Sequence, residues 1–160
     1  NAARFSERGL DGKIFPLRVD ATKAIPFAHD YFDLIVSVDA YQYFGNNDAM
    51  LGTLLPFLRP GGHNAVAVPG FIGEYSETHL PEVVKPFWTP EWYFYPLSWW
   101  KALWEKEPGS VLTTVREMDT CQQAWDEFMQ CEIAQEMMVP IMDAGAGAYF
   151  NMIQLVAQKR

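Results

Sequence analysis

Short apolar runs that stop at turn-forming residues dominate the first seventy positions. Ile14 to Val19 stops at Asp20, Leu34 to Val38 at Asp39, and Ala65 to Val68 at Pro69-Gly70. Each run is too short for a helix, and none alternates strictly between apolar and polar. That pattern predicts strands covered on both faces, as in a parallel sheet. A helical segment, Asp48 to Leu58, separates the second run from the third. Strand, helix and strand make a βαβ unit with a right-handed crossover. Ahead of it, Asn1 to Arg8 reads as the end of a helix with Gly9 as its left-handed cap, and Asp11-Gly12 turns into the first strand. Ligands of open α/β sheets sit at the carboxyl ends of the strands, so Asp20 and Asp39 mark a candidate site.

Beyond Gly70 the pattern changes. Phe71 to Pro108 holds Trp88, Trp92, Trp99, Trp100 and Trp104, and Pro81, Pro86, Pro90 and Pro96 cut it into short pieces. Ser98 to Lys106 predicts a helix capped by Ser98, with Trp100 and Trp104 at i, i+4 on one face. These aromatics either wall a substrate or form core beneath a helix. Ser110 to Met118 alternates and is rich in β-branched residues, which predicts a strand. Cys121 to Met138 predicts one helix with Ala124, Trp125, Phe128, Met129 and Ile133 as its apolar stripe, broken at Pro140. Residues 143–147 predict a loop, and Tyr149 to Lys159 a final strand.

Composition narrows the classes. The chain has 160 residues, 49% of them hydrophobic, enough for one domain with a core. No apolar window is long enough for a membrane span, and NAARFSERGL has no apolar signal region. A net charge of -8, with scattered Lys and Arg, argues against nucleic acid as a partner and leaves small molecules. Cys121 and Cys131 lie ten residues apart in the predicted helix, roughly 15 Å along its axis, and read as reduced thiols of a cytoplasmic protein. No cluster has metal-ligand spacing.

Four elements carry a family resemblance: Val19-Asp20-Ala21, Ile25-Pro26-Phe27, Tyr31-Phe32-Asp33 and Leu58-Arg59-Pro60-Gly61-Gly62. In this order the chain resembles the carboxyl-terminal part of a class I S-adenosylmethionine-dependent methyltransferase, of a type 11-like kind. The resemblance implies a partial Rossmann-like doubly wound α/β sheet with the family's strands 3 to 7. The last strand would be antiparallel, and a helical aromatic lid would be inserted. It divides the single, incomplete domain at 1–160 into a cofactor-side part at 1–70, a lid at 71–108 and closing strands and helix at 109–160. The family's glycine-rich loop, E/D-x-G-x-G-x-G, does not occur in the sequence. The expectation is therefore a fragment, or a chain seen only in part.

The resemblance also implies roles. Asp20 would accept a hydrogen bond from the adenine amine of S-adenosylmethionine, and the Ala21 N–H would meet the adenine ring. Ser37 and Val38 would line the cofactor, with Asp39 beside them as orienter or general base. His79 in the lid is the histidine placed to act as a base. Tyr41, Tyr43, Trp99 and Trp100 would contact the substrate. The expected activity is methyl transfer to a small-molecule acceptor, in an enzyme expected to assemble as a homodimer. The alternative is a methyltransferase-like module without catalysis, used for interaction.

Overall fold

The computed structural model describes residues 2–160. Helix α1 (Ala2–Glu7) is followed by Gly9 in the left-handed region, φ 65°, as the cap reading requires. Asn1 lies outside the described residues. Four strands form one sheet: β1 (Phe32–Val38), β2 (Leu58–Phe71), β3 (Ser110–Glu117) and β4 (Phe150–Lys159), in the order β1-β2-β4-β3. β1 and β2 are parallel, and β4 runs antiparallel to both β2 and β3. A reversed strand inserted between two neighbours is the arrangement expected for the family's last strand.

The first apolar run is a correction. Ile14 to Val19 forms no strand and pairs with no strand among the described residues; it crosses the surface with Phe15 72% and Leu17 59% exposed. β propensity alone does not make a strand, because the backbone groups need a neighbouring ladder. The sheet therefore holds four of the five strands expected and lacks the first.

β2 begins earlier than its apolar run and carries Arg59-Pro60-Gly61-Gly62 outward as a bulge. Phe32 faces Leu58, but Leu34 already faces His63. Gly61 sits at φ 75°, and a Cβ on Gly62 would lie 2.9 Å from the Arg59 carbonyl and 3.1 Å from that of Asp33. One glycine supplies the turn and the other the close approach to β1. Between these strands, α2 (Met50–Leu54) is shorter than the expected 48–58 and gives way to a 3-10 turn at Leu55–Phe57. Pro56 has no N–H to offer the Gly52 carbonyl, so the α-helical ladder stops there.

The sheet has one covered and one open face. Ile35, Val66, Val68, Ile153, Leu155 and Ala157 pack with Met50, Leu51 and Leu54 of α2 and with Trp100, Leu103 and Trp104 of α3 (Leu97–Trp104). Leu34, Val36 and Val38, the alternate residues of β1, point the other way and are 51, 58 and 66% exposed. β1 bonds only to β2, so its outer edge is free among the described residues.

A second cluster joins Phe71, Val84, Ile141, Ala146 and Phe150, with Trp88, Trp92 and Phe94 packed on them. Most aromatics of the expected lid are thus core. The helix expected over Cys121 to Met138 is two, α4 (Cys121–Phe128) and α5 (Glu132–Met137), and a further helix, α6 (Val139–Asp143), follows where the chain was expected to break. Cys131 is extended between the first two, at φ -80° and ψ 139°. An unbroken helix would carry Glu132 onto the face of Trp125 and Phe128; the break instead turns Ala134 into the interior, fully buried. Pro140 sits in the first turn of α6, where its missing N–H costs nothing. At α3, Pro96 and not Ser98 is the capping position; the Ser98 hydroxyl donates to Glu74. No described helix is long and apolar enough to cross a membrane.

Candidate functional site

Asp39 ends β1 in the left-handed region, at φ 49°, a conformation rare outside glycine and concentrated at functional sites. Two bonds hold it there. Its N–H donates to the Ala67 carbonyl at 2.8 Å, continuing the ladder to β2. Its carboxylate accepts from the Gln42 side-chain amide at 2.9 Å. Gln42 is wholly buried in the 3-10 turn Tyr41–Tyr43, so the carboxylate is anchored from below.

Asp39 lines a cavity of about 260 Å³ together with Cys121, Ala124, Trp125, Phe128 and Met152. A second cavity of about 610 Å³ shares Cys121 and Trp125 and continues to Glu117, Asn151 and Phe150. There the Asn151 amide donates to Glu117 at 2.9 Å. α4 thus stands over the carboxyl end of β1, with its stripe at i, i+4, i+7 facing Asp39. Burial pushes the Cys121 thiol pKa up, away from the thiolate. Cys131 is exposed, and neither cysteine is in a disulfide.

The expected cofactor residues lie on two segments. Asp20 forms an Asx turn: the Thr22 N–H and hydroxyl donate to one carboxylate oxygen at 3.0 and 2.6 Å, and Lys23 approaches the other at 3.1 Å. The Thr22 hydroxyl first, then Lys23, lowers its pKa from 3.8 to about 2. The carboxyl stays ionised, acceptor-only, and exposed. A carboxyl with a depressed folded pKa adds stability above its unfolded value and loses it as pH falls toward 2. The carboxyl carbon resonance of Asp20 is expected to titrate near 2, and Thr22→Ala to move that midpoint upward; an unmoved midpoint would remove Thr22 as the cause. Ala21 packs against the main core, and its N–H meets no acceptor among the described residues. Ser37 and Val38 are ladder residues opposite Val66 and Ala67, immediately before Asp39.

The expected substrate residues separate. Tyr41 is 1% exposed and Trp100 fully buried, with ring centroids 6.1 Å apart. Both are core, which corrects their assignment to substrate contact. Burial raises the Tyr41 pKa; a phenol there remains neutral. Tyr43 is exposed, edge-on to Tyr93 at 6.1 Å. Trp99 is half-buried and stacks on Tyr95 at 3.8 Å. His79 is exposed, stacks on Tyr75 and bridges to Ser76 through its backbone. It lines neither the cavity at Asp39 nor the one beside it, so neither brings the two expected catalytic residues together. Reasoning from sequence missed Cys121, Trp125, Phe128 and Met152 as partners of Asp39. The stripe on α4 was the available signal, read only as a core face.

No family model matches the chain, and no curated protein matches it. Solved structures do. A Galdieria sulphuraria protein proposed as a sarcosine dimethylglycine methyltransferase matches with a TM-score of 0.72 and 16% identity, over 99% of this chain and 64% of that one. Geranyl diphosphate C-methyltransferase from Streptomyces coelicolor A3(2) matches with a TM-score of 0.73 and 12% identity, over 99% and 57%. The cyclase SpnF matches with a TM-score of 0.64 and 18% identity, over 99% and 60%. The chain spans less than two thirds of the length of these proteins. At these identities the likeness is one of fold, and the chain has the fold of the class I S-adenosylmethionine-dependent methyltransferases.

Proposed function

We propose that this chain is the carboxyl-terminal part of a cytoplasmic methyltransferase that uses S-adenosylmethionine and a small-molecule acceptor. The observation that carries the reading is the sheet β1-β2-β4-β3 with its open first edge and Asp39 strained at the end of that edge strand. The bare apolar face of Leu34, Val36 and Val38 is where further helices of such a fold would pack.

The cofactor fits in part. Asp20 is an exposed, ionised acceptor suited to the adenine amine, and the Ala21 N–H is a donor without a partner among the described residues. No glycine-rich loop is present among the 160 residues to hold the methionine end. S-adenosylmethionine would supply a methyl group already activated by its sulfonium. The chain's own residues position: Gln42 orients Asp39, and Trp125, Phe128 and Met152 line the space beside it. Assembly as a homodimer is part of the proposal.

Calorimetry with S-adenosylhomocysteine, on the protein as expressed from its gene and with its intact mass measured, tests this. Binding by a protein well above 18.3 kDa is the expected result. No binding by a protein of the longer length would remove the enzyme reading. The missing glycine-rich loop favours a second reading, an interaction module of methyltransferase-like fold, which predicts a mass of 18.3 kDa and no heat.

A further inference from the structure

A pocket of about 690 Å³ opens beside the first turn of α3, lined by Glu74, Tyr75, Glu77, Tyr95, Ser98 and Trp99 among others. It shares no lining residue with the Asp39 cavity. Its floor is a stacked pair: the Tyr95 and Trp99 rings lie 3.8 Å apart at 15°. Trp99 in turn stands edge-on to the buried Trp100 at 5.0 Å, so the core holds the platform from behind.

Two carboxylates border this platform. Glu74 accepts a hydrogen bond from the Ser98 hydroxyl, which ties it to α3. Glu77 stands near the Tyr95 phenol, whose pKa is raised first by burial and then by the Glu77 charge. No Lys, Arg or His lines the pocket. Neither glutamate takes part in a salt bridge among the described residues. The negative charge at the pocket is left without a cation.

The ligand chemistry follows. An aromatic face attracts a cation through the ring quadrupole, and two unpaired carboxylates add charge of the right sign. An anion is repelled by both. A bare divalent metal asks for more oxygen ligands, and no group of three or more His, Cys, Asp or Glu among the described residues could hold one. We propose that this pocket binds a small organic cation, an alkylated ammonium seated on the Tyr95–Trp99 platform between Glu74 and Glu77.

The test is a titration of the whole chain with choline and with its neutral analogue in which carbon replaces the ammonium nitrogen, following the indole N–H resonances by NMR. Choline is expected to shift the Trp99 resonance to saturation and to bind about tenfold more tightly than the analogue. Trp99→Leu should weaken choline by about tenfold. Because that change removes a packed ring, Glu77→Gln at an exposed position gives a second variant: it should weaken choline severalfold and leave the analogue unchanged. Equal affinity for the two probes, no saturable shift of Trp99, or full choline affinity in Glu77→Gln would each overturn the proposal. A protein of the longer length that binds choline but not S-adenosylhomocysteine keeps this site and loses the methyltransferase reading; the converse loses only this site.

Discussion

Replacing Trp100 with alanine lowers the stability of the chain by about 3–5 kcal/mol, the range for deleting a fully buried aromatic side chain. The indole is fully buried and meets Tyr41, Tyr95 and Trp99 at centroid separations of 6.1, 5.9 and 5.0 Å. The loss has two sources: apolar area returned to water, and a cavity that the surrounding rings close only in part. Domains of ordinary stability hold about 5–15 kcal/mol in all. This one leaves a sheet face open, so the variant is expected near the point of unfolding. Urea denaturation, with unchanged slope and a lower midpoint, checks it. A loss below about 1 kcal/mol would return Trp100 to the substrate wall, since only an exposed ring could go so cheaply.

What the sequence made legible follows from how local each cause is. Leu34–Val38 and Ala65–Val68 were readable because apolar runs bounded by Asp39 and by Pro69-Gly70 need no distant information. β3 announced itself by alternation and β-branched content. Ile14–Val19 carries the same local signal and yet forms no strand, because pairing depends on a neighbour that composition does not supply. Tyr41, Trp99 and Trp100 look alike as aromatics; only the facing of α3 decides that Trp100 is core and Trp99 borders a pocket. The partners of Asp39 were hidden for a different reason. Cys121, Trp125 and Phe128 lie some eighty residues downstream, and no local pattern reports which strand end a helix will cover.

The bare face of β1 yields the sharpest contrast between the two functional readings. Val36 is 58% exposed, with Leu34 and Val38 beside it on the same face. In the chain of 160 residues, Val36→Lys removes no packed contact, and its stability is expected to stay within about 1 kcal/mol. The same charge placed beside an unpaired strand edge opposes edge-to-edge association, so sedimentation should show less self-association than in the parent. In a longer gene product whose additional helices cover this face, the lysine would be buried without a partner. There it should cost about 3 kcal/mol or more, through lost apolar burial and an uncompensated charge. Thermal unfolding of both lengths reads the difference directly. A large loss only in the longer protein means that β1 lies inside a completed sheet, with Asp39 at its carboxyl edge where a ligand of an open α/β fold would sit. Equal and small losses in both would mean that the face stays open, and an exposed apolar face on a folded domain is a surface for a partner protein.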